Sequence, residues 1–125
     1  MGRTVLVVDD DPLTREILAT ILDLEDYRVV LAEDGETALD LVAGGRPDVI
    51  VLDVMMPGLN GFEVCRRLKD DPETAPIPVI LLTALDRSED AAEGAAAGCD
   101  AYLTKPFSPL TLIERIVELQ AVREG

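Results

Sequence analysis

The stretch Asp48-Val49-Ile50-Val51-Leu52-Asp53 carries the clearest indication of the fold, because an uninterrupted apolar run lies between two carboxylates. A short run that is apolar at nearly every position, rather than at alternate positions, is typical of a strand buried on both faces of a parallel sheet. Similar runs precede and follow it along the chain. Together they predict five strands, at residues 5–8, 28–32, 48–52, 78–82 and 101–104.

The segments between the predicted strands have the apolar spacing of three and four residues that indicates amphipathic helices. In the first of them the apolar stripe consists of Leu13, Ile17, Leu18, Ile21 and Leu22. Asp11-Pro12 and Ser108-Pro109 each place a capping residue before a proline at the first helical position. A strand followed by a helix, five times over, predicts an α/β fold: one (βα)5 domain at residues 1–125 with a doubly wound, five-stranded parallel sheet.

The predicted fourth helix, at residues 88–97, differs from the others because its apolar content is almost entirely alanine and because it contains Gly94. Alanine favours helix formation but buries little apolar area, so we expect this helix to dock loosely. Two interpretations are open at this point. The segment is either a solvent-facing surface helix or a mobile switch element.

Composition excludes several classes of function. The 125 residues include 25 acidic and 11 basic side chains, and the formal charge of −14 argues against nucleic acid or an anionic membrane as a direct partner. The absence of histidine excludes His-dependent catalysis, His-ligated zinc and a phosphohistidine carrier. Cys65 and Cys99 form no CxxC pair, and we expect reduced thiols. There is no signal-peptide pattern and no apolar run near the roughly 18 residues of a membrane span, so we expect a cytoplasmic protein.

Polar residues follow four of the predicted strands. Asp9-Asp10-Asp11 ends the first strand, and Asp53 ends the third. Thr83-Ala84 ends the fourth strand, and Lys105-Pro106 ends the fifth. Because open α/β sheets bind ligands at the carboxyl ends of their strands, we expect these four parts of the chain to form one site.

The residue types at these strand ends indicate a site for phosphoryl transfer. Neighbouring carboxylates repel each other by roughly 3 kcal/mol per pair at a spacing of about 5 Å and an effective dielectric of about 20. Mg²⁺ with oxygen ligands offsets that repulsion where carboxylates meet a phosphate. Lys105 adds a positive charge, Thr83 a hydroxyl group, and Ala84 leaves room for an oxyanion. Asp53 is the natural phosphoryl acceptor, because no Ser, Cys or His nucleophile lies at the strand ends.

Four stretches of the chain follow one another in a familiar order and spacing: Val5-Leu6-Val7-Val8-Asp9-Asp10-Asp11-Pro12, Asp48-Val49-Ile50-Val51-Leu52-Asp53-Val54-Met55-Met56-Pro57-Gly58-Leu59-Asn60-Gly61, Pro78-Val79-Ile80-Leu81-Leu82-Thr83-Ala84, and Tyr102-Leu103-Thr104-Lys105-Pro106-Phe107. In this arrangement the chain closely resembles the receiver domain of bacterial two-component response regulators, over essentially its whole length. The resemblance implies a flavodoxin-like sheet with the strand order 2-1-3-4-5.

The resemblance also implies the acceptor and the metal ligands. Asp53 accepts a phosphoryl group from the phosphohistidine of a partner kinase. Asp9, Asp10 and Asp53 hold Mg²⁺ together with the backbone carbonyl of Met55.

The same resemblance implies the residues that bind the phosphoryl group and respond to it. Thr83 and Lys105 each bind a phosphoryl oxygen, with the small Ala84 beside them, and Thr83 moves on activation. Tyr102 resembles a rotamer switch coupled to Thr83, although a half-buried core aromatic remains an alternative interpretation. The Lys105–Pro106 peptide bond resembles one that is cis in the family.

The implied partners are a sensor histidine kinase or phosphotransfer protein, and a downstream protein or fused output domain. The resemblance implies that the protein catalyses only its own phosphorylation and slow dephosphorylation. The two positions that tune phosphoryl lifetime in the family carry Met55 and Leu85. Both are apolar and unable to position an attacking water, which predicts a long-lived aspartyl phosphate.

Three other functions fit less well. A Mg²⁺-dependent phosphohydrolase with an aspartate nucleophile usually carries a second aspartate two positions later, where this chain has Met55. A flavodoxin-like cofactor module needs a first loop that cradles phosphate, whereas this loop consists of three aspartates. A phosphate-independent interaction module leaves the complete set of acceptor-site residues unexplained.

Overall fold

Strands and helices alternate along the chain, as the apolar runs and stripes predict. A computed structural model gives the backbone of residues 3–124 and the side chains of residues 3–121. The elements in this range are β1 (Thr4–Val8), α1 (Pro12–Leu24), β2 (Arg28–Ala32), α2 (Gly35–Gly44), β3 (Val49–Leu52), α3 (Gly61–Asp70), β4 (Val79–Thr83), α4 (Ser88–Ala96), β5 (Ala101–Thr104) and α5 (Pro109–Glu124). Within the described residues, no helix combines the length and the apolar composition that crossing a lipid bilayer requires.

The sheet has the predicted topology. Its strands lie in the order β2-β1-β3-β4-β5, and every neighbouring pair is parallel. This confirms the doubly wound α/β fold and the order that the resemblance implies. Since β1 is followed by β2 on one side and by β3 on the other, the strand order reverses between β1 and β3.

Three of the predicted strands differ from the observed ones by one residue. β1 begins earlier, at Thr4, β3 begins later, at Val49, and β4 is shifted to Val79–Thr83. The Asp48 carboxylate accepts a hydrogen bond from the Thr4 amide at 2.7 Å, so Asp48 binds backbone through its side chain before the β3 ladder begins. Pro78 has no N–H and therefore cannot donate to a ladder. An apolar pattern does not show which backbone groups pair in the sheet, so it cannot predict strand boundaries to the residue.

Both faces of the sheet are covered by apolar layers. One layer joins alternate strand residues to α1 and α5: Val5, Val7, Val49, Val51, Ile80, Leu82, Leu18, Leu22, Leu112 and Ile116. The other joins the remaining strand residues to α2 and α3: Leu6, Val8, Ile50, Leu52, Leu81, Ala38, Val42, Phe62, Val64, Cys65 and Leu68. Successive strand residues point to opposite faces, and both faces are buried, which explains why the strand sequences are continuously apolar.

The apolar stripe predicted for α1 is only partly buried. Leu18 and Leu22 are buried in the core, whereas Leu13 is 62% exposed and Ile17 is 45% exposed. Helical spacing identifies an apolar face, but it does not say how much of that face a neighbouring element covers. The uncovered residues lie in the first half of α1, near the carboxyl edge of the sheet.

α4 buries little, as its composition predicts. Among its described residues only Asp90 and Gly94 are buried. Gly94 has a packing role that the sequence does not show, because a Cβ there would lie 2.9 Å from Cδ2 of Tyr102 and 3.1 Å from Cδ1 of Leu81. Glycine at this position allows the tyrosine ring on β5 to pack against the backbone of α4.

Candidate functional site

Asp9 and Asp53 lie side by side at the carboxyl edge of the sheet, because they follow the neighbouring strands β1 and β3. The Asp9 amide donates to the carbonyl of Ala32 at 3.2 Å, and the Asp53 amide donates to the carbonyl of Val8 at 2.9 Å. Both residues are almost fully buried, with 2% and 6% exposure. They occupy the point of strand-order reversal, where ligands bind in open α/β sheets.

Lys105, which follows β5, supplies a positive charge between these two carboxylates. Its Nζ lies 2.8 Å from Oδ2 of Asp9 and 3.3 Å from Oδ2 of Asp53. Burial alone lowers the pKa of the ammonium group, but the hydrogen bond to Asp9 and the charges of Asp53 and Asp9 outweigh burial, so the pKa lies above that of ordinary lysine. Lys105 is therefore charged at neutral pH and forms one ion-paired cluster with both carboxylates.

Asp10 gives this cluster an excess of negative charge. Carboxylate oxygens of Asp9, Asp10 and Asp53 lie within 4.8 Å of one another. Hard oxygen donors in this number are the ligands that Mg²⁺ accepts, and Mg²⁺ usually keeps several waters. Asp10 is exposed, so one side of the group is open to a hydrated cation. These side chains fit the magnesium ion that the sequence predicts.

The loop between β3 and α3 holds the Asp53 carboxylate from another direction. The amide of Met55 donates to Oδ1 of Asp53 at 3.2 Å. The Met55 side chain is 56% exposed, so the backbone of this residue, rather than its thioether, faces the carboxylate. Gly61 packs so closely beneath the loop that a Cβ there would overlap the carbonyl oxygen of Asp53 and Cα of Val54. The close approach of α3 thus requires glycine.

Thr83 and Ala84 lie at the same edge, where β4 ends. Thr83 is fully buried, and its Oγ accepts a hydrogen bond from the amide of Leu85 at 3.4 Å. Its carbonyl accepts from the backbone amide of Lys105 at 2.8 Å, while Ala84 is exposed. The structure therefore brings Thr83 to the cluster through the Lys105 backbone. Within the described residues its hydroxyl makes no bond to the carboxylates.

Tyr102 lies on β5 and reaches the site through the loop that follows β4. Its hydroxyl donates to the carbonyl of Leu85 at 2.8 Å, and the amide of the same leucine donates to Thr83. Burial raises the pKa of the phenol above its ordinary value, and the negative charge of Asp90 raises it further. A partly buried ring with a bonded hydroxyl is compatible with both interpretations of Tyr102, the switch and the core aromatic.

The Lys105–Pro106 peptide bond is cis, as the resemblance implies. A groove of about 300 Å³ lies beside it and is lined by Thr14, Ile17, Ile21, Lys105, Pro106, Phe107 and Pro109. The lining is mostly apolar and includes one of the uncovered residues of α1. An exposed apolar surface is thereby placed next to the ammonium group that binds the two buried carboxylates.

Arg15 is a candidate functional residue that the sequence reasoning missed. From the first turns of α1, its Nη1 donates to the carbonyl oxygen of Asp9 at 2.7 Å. No motif marks such a contact, because an arginine on a helix is equally consistent with a surface position. The one available signal is that Arg15 is the only basic residue between positions 4 and 27, where it follows the acidic loop.

Both cysteines are free thiols, as predicted. Cys65 is buried on α3, and burial raises the pKa of its thiol to about 12. Burial also raises the pKa of the Cys99 thiol. Both thiols are therefore neutral near pH 7. A neutral thiol is a poor nucleophile, so this protonation state fits a structural role for both cysteines.

Comparisons with known proteins agree on one family. The family model described as the response regulator receiver domain matches residues 5–117. Response regulator PleD of Caulobacter vibrioides is 48% identical over 119 residues, a match that covers 95% of this chain and 26% of PleD. The phosphate regulon transcriptional regulatory protein PhoB of Pseudomonas aeruginosa is 41% identical over 116 residues, covering 93% of this chain and 51% of PhoB. The chain thus spans about a quarter to a half of these relatives.

Solved structures show the same similarity. The receiver domain of Francisella response regulator 1452 superposes with a TM-score of 0.90 at 39% identity, over 97% of this chain and 98% of that one. The receiver domain of a sensor histidine kinase from Pseudomonas aeruginosa superposes with a TM-score of 0.90 at 29% identity, over 97% and 99% of the two chains. That second structure has a magnesium ion coordinated in its active-site cleft.

Proposed function

The chain belongs to the response regulator receiver domain family, and from this membership and the geometry of the site we propose that it is a phospho-acceptor signalling switch. Asp53 takes a phosphoryl group from the phosphohistidine of a sensor kinase or phosphotransfer protein, in a Mg²⁺-dependent reaction. The observation that carries the proposal is the buried cluster at the sheet edge, where one ammonium group, that of Lys105, binds both Asp9 and Asp53.

The proposed transfer is a substitution at phosphorus. A carboxylate oxygen of Asp53 forms the new O–P bond, the N–P bond of the phosphohistidine breaks, and the imidazole nitrogen leaves with the electron pair. This chain contains no histidine, which suits the acceptor and not the donor of such a pair. The acceptor exchanges one negative charge for about two, and this change in charge is the signal.

Asp9, Asp10 and Asp53, with the backbone carbonyl of Met55, would hold the magnesium ion. When bound, the ion neutralises negative charge on the carboxylates and on the transferred group. The chain orients Asp9 for this task. Its Oδ1 accepts from the Asp11 amide at 2.9 Å and its Oδ2 accepts from Lys105 at 2.8 Å.

Lys105, Thr83 and Ala84 form the proposed binding site for the phosphoryl oxygens. Lys105 already binds the acceptor carboxylate, so its ammonium group is placed to pair with an oxygen added there. The Thr83 hydroxyl accepts a hydrogen bond from Leu85, which leaves its proton to donate to a second phosphoryl oxygen. Ala84 adds no bulk beside them.

Leu85 connects the proposed phosphoryl site to the proposed switch residue. Its amide binds Thr83 and its carbonyl binds the hydroxyl of Tyr102. A movement of Thr83 toward the phosphoryl group shifts this loop and changes the hydrogen bond that holds Tyr102. The surface formed by α4, β5 and α5 then presents a different face to a downstream protein or a fused output domain.

The uncovered apolar residues of α1 suit the partner that delivers the phosphoryl group. Leu13 and Ile17 are exposed, and the groove beside the Lys105–Pro106 bond is next to the acceptor cluster. A kinase or phosphotransfer protein that covers this surface brings its phosphohistidine close to Asp53. We place the protein in the cytoplasm, where two free thiols remain reduced.

Met55 and Leu85 support slow loss of the phosphoryl group, and not hydrolysis as the main activity. Neither side chain has a group that orients water or protonates a leaving group. The chain therefore catalyses its own phosphorylation and only slow dephosphorylation. The test is the decay of phosphoprotein in Mg²⁺ after the phosphoryl donor is removed. Decay within seconds would contradict the proposed lifetime.

The proposal is tested by intact mass spectrometry after incubation with acetyl phosphate and Mg²⁺. The parent is compared with Asp53→Asn and with Asp11→Asn, a matched control in which asparagine remains a good helix cap. We expect one added phosphoryl group on the parent and the control, none on Asp53→Asn, and none with a chelator.

Released phosphate, counted in the same samples, separates the alternatives. Phosphate release over many turnovers would replace the switch with a phosphohydrolase. Neither a mass gain nor phosphate release would favour a phosphate-independent interaction module.

A further inference from the structure

We infer that Arg15 is a positioning residue of the magnesium site, where it holds the peptide unit between Asp9 and Asp10 so that Asp10 faces the cation. The inference rests on the proposed function, because it assigns Arg15 to the same site. Its basis is the hydrogen bond from Nη1 of Arg15 to the carbonyl oxygen of Asp9, 2.7 Å long, between an α1 side chain and the loop before that helix.

Asp9 is held at each of its polar atoms by a different part of the fold. Its amide donates to the carbonyl of Ala32, the last residue of β2, and its Oδ1 accepts from the amide of Asp11. Its Oδ2 binds Lys105 from the end of β5, and its carbonyl oxygen binds Arg15 from α1. Among the residues that the structure describes, Arg15 supplies the one hydrogen bond to the carbonyl, and it does so from a partly buried side chain.

The carbonyl of Asp9 matters to the metal because it belongs to the peptide unit that carries Asp10. A peptide unit is planar, so fixing its oxygen also fixes the direction from which the Asp10 backbone continues. The Asp10 side chain is exposed and makes no hydrogen bond or ion pair among the described residues. Its direction toward Asp9 and Asp53 consequently depends on the backbone that Arg15 holds.

The positioning role and a simple charge effect predict opposite results. A guanidinium group repels a divalent cation, so by charge alone the removal of Arg15 strengthens Mg²⁺ binding. If Arg15 positions Asp10, its removal weakens Mg²⁺ binding although a repelling charge has gone. Residues that orient metal ligands typically change metal affinity by about 10- to 100-fold when they are replaced.

The experiment is a calorimetric titration of the full chain with MgCl₂. The parent is compared with Arg15→Met, which keeps an unbranched apolar stem, and with Arg15→Lys, which restores a cation and a donor. Arg28→Met is the matched control, because Arg28 is an exposed arginine on β2. We expect about 10-fold weaker binding in Arg15→Met, partial recovery in Arg15→Lys, and binding close to the parent's in Arg28→Met.

Two further measurements separate positioning from general damage. Thermal unfolding without Mg²⁺ establishes that each variant is folded, and Arg15→Gln, too short to reach the Asp9 carbonyl, replaces Arg15→Met if that variant does not fold. At saturating Mg²⁺, phosphorylation of Arg15→Met by acetyl phosphate should return to the parent's rate. A lasting loss of rate would overturn a role confined to the cation.

Binding in Arg15→Met that equals or exceeds the parent's overturns the inference and leaves the proposed function intact. Absence of Mg²⁺ binding by the parent overturns both. Weaker binding in both Arg15→Met and Arg28→Met would also overturn the inference, because the loss would then not be specific to the loop.

Discussion

The two lysines of the chain bind aspartates at opposite ends of the sheet, and they do so in different ways. At the amino edge, Nζ of Lys69 donates to the carbonyls of Ala75 and Ile77 at 3.0 and 2.8 Å. It also donates to Oδ2 of Asp100 at 2.9 Å. An ammonium group has three donors, so all of them are used, and one positive charge meets one negative charge.

At the carboxyl edge, Lys105 faces a surplus of negative charge. Its ammonium group binds Asp9 and Asp53, and Asp10 adds a third carboxylate within 4.8 Å. One cation among three anions leaves an excess of negative charge, which a metal ion would offset. A lysine–aspartate pair is therefore not itself a sign of function. The pair with balanced charge fits a structural role, and the unbalanced one is the candidate ligand site.

Exchanging each lysine for methionine should produce the largest contrast in phosphorylation. We expect Lys105→Met to slow phosphorylation by acetyl phosphate by about 100-fold, since a preorganised donor to the transferred group is lost. Lys69→Met, at the other end of the sheet, should phosphorylate at close to the parent's rate. Time courses of intact mass measure both rates. Equal slowing in the two variants would contradict the division between the two ends.

Lys69→Met, which should have the smaller effect on phosphorylation, should have the larger effect on stability. Lys69→Met removes three hydrogen bonds and leaves Asp100 without its counter-charge, so we expect a loss of about 2–3 kcal/mol in the free energy of unfolding. Urea unfolding with Mg²⁺ present measures it. In Mg²⁺ the loss in Lys105→Met should be smaller, because the metal replaces the missing positive charge. A larger loss in Lys105→Met under these conditions would contradict the structural role of Lys69 and the replacement of the Lys105 charge by Mg²⁺.

Magnesium should stabilise only through the carboxyl edge. Each tenfold rise in free Mg²⁺ above its dissociation constant should add about 1.4 kcal/mol to the parent's free energy of unfolding. Asp10→Asn should need a higher Mg²⁺ concentration before it is stabilised, because one ligand loses its charge, so its gain at a given Mg²⁺ concentration should be smaller than the parent's. Asp48→Asn at the amino edge should gain as much as the parent. Unfolding curves at several Mg²⁺ concentrations, and again after chelation, provide the test. Stabilisation of Asp10→Asn that begins at the same Mg²⁺ concentration as in the parent would contradict the metal site.

The sequence predicts the position of this site better than its internal contacts. The continuous apolar strands identify a parallel sheet, and a parallel sheet brings Asp9, Asp53 and Lys105 to one edge whatever the details of packing. The contact of Arg15 with a carbonyl six positions earlier is not predictable in this way, since it depends on how one side chain folds back over a loop.

Two other features show the same limit. In the sequence, Gly94 is a glycine that should destabilise its helix, but in the structure it makes room for the ring of Tyr102. The spacing in α1 predicts an apolar face, yet Leu13 and Ile17 remain uncovered. Coverage and close approach depend on neighbouring elements, and a local pattern contains no information about them.

The smallest expected effect concerns the contact between α4 and Tyr102. Alanine in place of glycine in a helix is worth about 1 kcal/mol, so Gly94→Ala should stabilise the chain if space allows. The Tyr102 ring and Cδ1 of Leu81 both lie close to that space, so we expect no stabilisation in the parent background. In the Tyr102→Ala background only Leu81 has to shift, so Gly94→Ala should be more favourable there, by at most about 1 kcal/mol. Equal effects in both backgrounds, measured by urea unfolding, would show that the ring and Gly94 are not coupled.

Whether Asp53 is the phosphoryl acceptor is decided by locating the phosphoryl group after reaction with acetyl phosphate and Mg²⁺. Borohydride reduces an acyl phosphate and marks the residue that carried it, and peptide mapping by tandem mass spectrometry then identifies that residue. We predict that the mark lies on Asp53 alone and that it disappears when Mg²⁺ is chelated. A mark on Asp9, Asp10 or Asp11 would contradict the assignment of Asp53 as the acceptor, and a mark that persists without Mg²⁺ would contradict the metal dependence.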